Sequence, residues 1–181
     1  MNDIYAKWIK RDPQWETQFE ETLLRKFCDY GLGKTQLTEA RAKTFGAGYE
    51  LIIIAFFIGL YEDKELPLDA DPSKTKKLGW AIENWGKSTK GNRKAYPELI
   101  KYIFVALVSK TEGVEENLMK VDKGQMDIES FVTTLVDKME KYINYGLHYL
   151  YEKLKEDPNC LYENDAFYKL FFNYMYNDLK K

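Results

Sequence analysis

The sequence predicts an all-α fold: a single globular domain, residues 1–181, in which about six to eight helices surround a buried central helix at residues 49–61. Apolar residues recur every three or four positions in several long segments, as in amphipathic helices. The five prolines and eleven glycines lie mostly between these segments, and no stretch alternates with period two. A composition of 45% hydrophobic and 31% charged residues is typical of a folded soluble chain and excludes general disorder.

The first strong helix is predicted to begin at Asp12-Pro13, an acidic N-cap followed by proline at the first helical position. Apolar residues then recur every four positions, and Gly31 and Gly33 end the pattern. The stripe consists of Trp15, Phe19, Leu23 and Phe27, widened by Leu24 and Cys28. A short helix is predicted at about residues 38–44.

The most apolar run, residues 51–61, is too short to cross a bilayer, which takes about 20 helical residues. It is predicted to form the buried central helix, although the Ile52-Ile53-Ile54 triplet leaves a buried strand over residues 51–58 as an alternative. The loop that follows, residues 63–74, contains two prolines and is the best candidate for an internal boundary.

Further helices are predicted after residue 74, the first two separated by a polar, basic loop at residues 86–94. One is marked by Leu78, Ala81, Ile82 and Trp85, and the next begins at Pro97 with Leu99, Ile100, Ile103, Phe104 and Leu107 inward. A short helix is expected between residues 111 and 127. Asp127 then caps the longest helix, to about Glu156, and Asn164 caps a final one. The longest helix has apolar residues about 3.7 positions apart, nearer a straight helix packed on a globular core than a coiled coil.

The stretch Cys28–Gln36 contains Gly-Lys-Thr and so invites comparison with a phosphate-binding P-loop. That motif needs a glycine at the position occupied here by Cys28, and it follows a strand, whereas this stretch follows a predicted helix. The glycines are therefore interpreted as a helix stop.

A basic segment with two tryptophans is the main candidate for ligand binding. Residues 73–94 contain seven basic residues and one acid, Glu83, in a chain whose formal net charge is −2. Lysine and arginine bind phosphates and exposed indoles stack on bases, so the segment could bind nucleic acid or a partner protein. The candidate residues are Lys74, Lys76, Lys77, Trp80, Lys87, Lys90, Arg93 and Lys94. Trp85 falls on an apolar stripe and is expected in the core, and a pI of about 5.6 is not that of a dedicated nucleic-acid binder.

Residues 112–129 carry the opposite charge, with six acids against two lysines. Separate basic and acidic regions favour electrostatic docking to a protein partner or head-to-tail self-association. The high content of tyrosine, 14 residues, also favours an interface.

Tyr145, His148 and Glu152 are spaced to share one helix face, where a carboxylate could orient the histidine as a general base. No nucleophile stands at a recognisable spacing. The two cysteines, Cys28 and Cys160, and the single histidine form no metal-ligand pattern, so no cofactor and no metal are expected.

Residues 41–60, RAKTFGAGYELIIIAFFIGL, resemble the core of small helical proteins from bacterial DNA phosphorothioation gene clusters. The resemblance covers about 20 residues, rests on an apolar helix behind a basic turn, and assigns no functional residue. It implies a prokaryotic defence or mobile-element setting.

These observations favour a non-catalytic helical binding or accessory protein that acts in a complex. One alternative is a nucleic-acid-associated protein that uses residues 73–94, such as an accessory component of prokaryotic DNA modification or defence. The other is an enzyme centred on His148. The N-terminus has no apolar segment of the kind found in secretory signals, so a cytoplasmic location without membrane contact is expected.

Overall fold

The computed structural model describes residues 2–29, 44–87 and 95–160, together with Tyr162, Ala166 and Lys169. This part of the chain contains six α-helices and one small two-stranded sheet, which confirms the predicted all-α class. The helices are α1 (Asn2–Trp8), α2 (Arg25–Phe27, continuing a π-helical segment Glu20–Leu24), α3 (Gly48–Glu62), α4 (Pro97–Lys110), α5 (Val114–Asp122) and α6 (Ile128–Glu156). The strands are β1 (Gln14–Glu16) and β2 (Thr75–Lys77), and short 3-10 turns occupy Pro72–Lys74 and Ile82–Asn84.

The chain forms two compact units, each made of separate segments. Unit 1 comprises residues 1–17 and 67–141, and unit 2 comprises residues 18–66 and 142–181. One change of unit, between Leu66 and Pro67, falls inside the loop 63–74. Helix α6 contributes its first half to unit 1 and its second half to unit 2. The single-domain organisation stays a prediction.

The helix predicted to begin at Asp12-Pro13 does not begin there. Residues 14–16 instead form β1, which pairs antiparallel with β2 in the register Gln14↔Lys77, Trp15↔Lys76 and Glu16↔Thr75. Asp12 was predicted to cap this helix, but its carboxylate instead accepts the backbone N–H of Gly79, at 3.0 Å. Long-range pairing thus supplies the backbone hydrogen bonds that the local pattern assigned to a helix.

The helix predicted from Leu78, Ala81, Ile82 and Trp85 is also wrong. Gly79 has φ +87°, a left-handed conformation that interrupts any helix at this point. The N–H groups of Ile82 and Glu83 then donate to the carbonyls of Arg11 and Ile9, at 3.0 and 2.8 Å, so this segment is bound to the N-terminal one. Leu78, Ile82 and Trp85 are nevertheless buried.

Helices α4, α5 and α6 follow the sequence pattern. Helix α4 begins at Pro97. Of its predicted inward stripe, Ile100, Ile103, Phe104 and Leu107 are buried and Leu99 is half-buried. Helix α1, which the sequence analysis missed, packs Tyr5 and Trp8 against Phe104, with ring centroids 5.1 and 5.4 Å apart. Helices α5 and α6 lie within the predicted segments.

In unit 2, residues 51–58 are helical, so the strand alternative is excluded. Helix α3 buries nine of its fifteen residues, although its place at the centre of a bundle stays a prediction. Its Gly59 lies against the backbone of Tyr142, and Gly146 of α6 lies against the backbone of Ala55, so the two helices touch backbone to backbone at both points. Phe19, Leu23 and Phe27 are buried as expected. The predicted helix at 38–44 and the final helix capped by Asn164 lie almost entirely outside the described residues, which include only their positions 44, 166 and 169.

Candidate functional site

The basic segment begins in the turn before β2, where the charge of Lys74 is balanced by a nearby carboxylate. Its Nζ lies 2.8 Å from Oδ2 of Asp69 in an exposed ion pair. The hydrogen bond from Lys74 is the main cause that lowers the pKa of Asp69, and it raises the pKa of Lys74 in turn. Lys74 is therefore a weaker candidate for phosphate binding than its sequence context predicts.

The two lysines of β2 differ in their surroundings. Lys76 is half-buried, and its Nζ lies 5.0 Å from the ring centroid of Trp15, which is itself 1% exposed. This cation–π contact gives Lys76 a structural role. Lys77 is exposed at the end of the strand, opposite Gln14.

The two tryptophans that follow β2 have opposite environments. Trp80 is 52% exposed, whereas Trp85 is fully buried. The indole Nε1 of Trp85 donates to the carbonyl of Trp80, at 3.3 Å, and Gly79 is held by Asp12, so the backbone around Trp80 is fixed on both sides. Lys87 is exposed and donates to Oδ1 of Asn84, at 2.7 Å. The structure therefore shows one accessible indole in this segment, as nucleic-acid stacking requires, but Lys90, Arg93 and Lys94 lie outside the described residues.

The polar residues predicted as a possible catalytic cluster lie on the second half of α6, in unit 2. His148 packs edge-on against Phe19, with ring centroids 4.9 Å apart and an interplanar angle of 87°. Glu152 accepts a hydrogen bond from Lys155 at 2.8 Å. Lys64 stands 5.5 Å from the Tyr145 ring centroid, and its pKa is raised by its hydrogen bond to Glu62 and, next, by Tyr145. These contacts are those of a packed helix face, and the proposed catalytic role stays a prediction.

An exposed apolar surface on α4 escaped the sequence analysis. Tyr102 is 73% exposed and Val105 is 63% exposed, and their spacing of three residues places them on one helix face. Plotting the predicted helix as a wheel would have revealed them, because both lie off the buried stripe.

Helix α5 is the second unusual surface element. None of its residues is buried, and Met119 is 54% exposed. Glu115 and Asp122 are also exposed and share the face of Met119, at spacings of four and three residues. Nearby, Glu116 forms an ion pair with Lys120, with Oε1 and Nζ 2.6 Å apart. The acidic charge predicted for residues 112–129 thus surrounds an accessible apolar side chain.

A buried carboxylate in unit 1 was missed as well. Glu140 is 7% exposed, and its Oε1 accepts the backbone N–H of Gln14 at 2.7 Å. Burial is the main cause that raises its pKa to about 7, opposed by the Gln14 hydrogen bond. Nothing in the sequence around this glutamate, which follows Met139 in α6, marks it as buried, because its burial depends on the docking of β1.

The chain matches no protein-family model, no curated protein and no solved structure. The resemblance of residues 41–60 to phosphorothioation-cluster proteins accordingly stays a prediction.

The described residues also bear on metal and membrane binding. Among residues 2–29, 44–87 and 95–160, no three His, Cys, Asp or Glu side chains are grouped so that they could hold a metal ion. In that same part of the chain, no helix is both long enough and apolar enough to cross a bilayer.

Proposed function

We propose that the protein is a non-catalytic helical binding protein that acts in a complex, and that α4 carries the centre of its partner surface. The observation that carries the proposal is the exposure of Tyr102 and Val105, side by side on one helix face. Tyrosine is among the residues that contribute most to protein interfaces, because it covers a large area with few rotatable bonds. Adjacent exposed apolar side chains on a helix are a binding feature more often than isolated ones.

The charge of α5, the next helix along the chain, indicates the chemistry of the partner. Helix α5 follows α4 after only three residues, 111–113, and exposes Glu115, Met119 and Asp122. A partner that covers both helices would present apolar side chains flanked by lysine or arginine. Such complementarity accelerates association and excludes acidic competitors.

The test is a double substitution, Tyr102→Glu with Val105→Glu, which places charge in the centre of the proposed surface. Both side chains are exposed, so the variant should fold, as circular dichroism would show. A partner that co-purifies with the natural chain, once itself purified, should bind the variant at least about tenfold more weakly by calorimetry.

The matched control is Thr133→Glu with Thr134→Glu, which adds the same charge at exposed positions of α6 in the same unit. The control should bind like the natural chain. Equal affinity of the natural chain and the Tyr102/Val105 variant for every purified partner, including a second copy of the chain, would contradict the proposal.

A second candidate function, nucleic-acid binding, is favoured by the exposure of Trp80 in the same segment as Lys77 and Lys87. Stacking on one aromatic side chain contributes about 1–3 kcal/mol per base. Trp80→Ala should therefore weaken binding of a fluorescent single-stranded oligonucleotide about tenfold at low salt, while Trp80→Phe should retain most of it. Absence of binding at low salt, or equal binding by both variants, would exclude this function.

A further inference from the structure

We propose that Glu140 is a protonation-controlled latch, which holds β1 in place when neutral and releases the β1–β2 ribbon when it ionises. The Gln14 N–H donates to Oε1 of Glu140, and ionisation does not weaken this bond, because a carboxylate accepts a hydrogen bond at least as well as a neutral carboxyl group. What ionisation adds is a buried charge, and opening of the ribbon brings that charge into water. All parts of the latch belong to unit 1.

Glu140 accepts a hydrogen bond from the edge of β1 that faces away from β2. Thr17 donates to the carbonyl of Lys74 and Leu78 donates to the carbonyl of Pro13, so these pairs face each other across the ribbon. In an antiparallel pair hydrogen bonding alternates along the strand, which leaves the Gln14 N–H pointing away from β2. Glu140 accepts this N–H, at 2.7 Å. Without Glu140 a backbone donor beside the buried Trp15 would lose its acceptor.

The ribbon that contacts Glu140 is short. It has three residue pairs, Gln14↔Lys77, Trp15↔Lys76 and Glu16↔Thr75, and isolated two-stranded ribbons are marginally stable in water. Two other carboxylates fasten its ends: Asp12 accepts the N–H of Gly79, and Glu16 accepts the N–H of Asp69. Opening the ribbon would separate Gln14 from Glu140 and bring water to the carboxylate.

The charged groups that face Glu140 come from three elements. Asp137 lies on α6 itself, Asp12 precedes β1, and Lys77 ends β2. Burial is the largest cause that raises the pKa of Glu140, and the two aspartates add to it, whereas the Gln14 hydrogen bond and Lys77 lower it. The resulting pKa of about 7 means that the carboxyl changes from mostly neutral to mostly ionised between pH 6 and pH 8.

Hydrogen exchange measured by mass spectrometry on the full chain tests the latch. The probes are peptides covering residues 12–17 and 74–79, with rates corrected for the intrinsic pH dependence of exchange. If the carboxyl titrates near 7 in the closed ribbon and at its ordinary 4.5 in the open one, protection should fall about tenfold from pH 6 to pH 8. Peptides from α4 should keep their protection over the same range.

Glu140→Gln retains an oxygen acceptor for Gln14 and removes the titration, so its protection should not change with pH. A tenfold fall that persists in Glu140→Gln, or constant protection in the natural chain, would overturn the proposal.

Two further variants apply even if Glu140→Gln fails to fold. Asp137→Asn removes a neighbour that raises the pKa and should move the midpoint of the protection change to lower pH. Lys77→Met removes a neighbour that lowers the pKa and should move that midpoint to higher pH. Midpoints that do not move in these directions would equally overturn the latch.

Discussion

Gly146 is the residue on which the packing of α6 against α3 depends most directly. A Cβ added there would lie 2.6 Å from Cα of Ala55, and one added at Gly59 would lie 2.8 Å from Cα of Tyr142. These neighbours are backbone atoms, which cannot rotate out of the way. The two glycines therefore allow an approach that any side chain would block.

We expect Gly146→Ala to destabilise the protein by about 1–3 kcal/mol through overpacking, despite the higher helix propensity of alanine. The measurement is urea denaturation followed by circular dichroism. Thr134→Ala, at an exposed position of the same helix, is the control and should change stability by no more than about 0.5 kcal/mol. Equal stability of Gly146→Ala and the natural chain would show that the helices separate at no cost.

Burial could be predicted from the sequence for residues that lie in a local apolar pattern. It could not be predicted for residues whose environment depends on parts of the chain that are distant in sequence. The core positions of Trp15, Trp85 and Phe104 follow from apolar spacing, which holds whichever element forms. The opposite exposures of Trp80 and Trp85 depend on the turn at Gly79 and on its bond to Asp12. Apolar spacing favoured a core position for Trp85 and left the exposure of Trp80 open.

At the scale of elements, α1 shows how a seven-residue helix is held on a unit. Helices this short are unstable alone, so tertiary contacts must supply the stability. Ile4 and Trp8 are buried, and the rings of Tyr5 and Trp8 lie against Phe104. Lys7 and Arg11 also bind the Glu129 carboxylate, which lowers its pKa.

We expect the ring contacts, not the ion pairs, to hold α1. Phe104→Ala should cost about 3 kcal/mol or more in the free energy of unfolding, because it leaves a cavity beside Trp8. Glu129→Gln should have a much smaller effect that disappears at about 1 M salt, since Lys7 and Arg11 are half-exposed and their charges are screened. The two variants can be compared by urea denaturation. A larger effect for Glu129→Gln than for Phe104→Ala would reverse this order.

The elements that the sequence predicted correctly are those defined by local pattern, such as α4 with Pro97 at its start and α6 with its regular stripe. The elements that it missed, β1 and β2, are three residues long and lie about 60 positions apart in the chain. Such short strands carry no alternation that could be read. Trp15 and Phe19 fit a helical spacing although one belongs to a strand and the other precedes a helix, because both side chains are buried.

At the scale of the whole molecule, Glu140 makes stability depend on pH. Its carboxyl binds a proton more tightly in the folded chain, where the pKa is about 7, than in the unfolded chain, where it has its ordinary value of 4.5. Its protonation therefore stabilises the fold fully below pH 4.5, and this contribution is lost as the pH rises through 7.

We expect the free energy of unfolding to fall by about 2 kcal/mol more in the natural chain than in Glu140→Gln when the pH rises from about 5.5 to about 7.5. Urea denaturation of both proteins at the two pH values provides the comparison, and the remaining carboxylates cancel in the difference. Parallel pH profiles for the two proteins would mean that Glu140 titrates near its ordinary value.

The interleaved order of segments has a consequence for biosynthesis. As the chain leaves the ribosome, β1 cannot pair until its partner strand, residues 75–77, has been synthesised. Residues 18–66 emerge next, but their unit is completed only when the chain beyond residue 141 follows. Consecutive domains usually fold one after the other as they are synthesised, but neither of these units can do so. Both should complete folding late, when most of the polypeptide has been made.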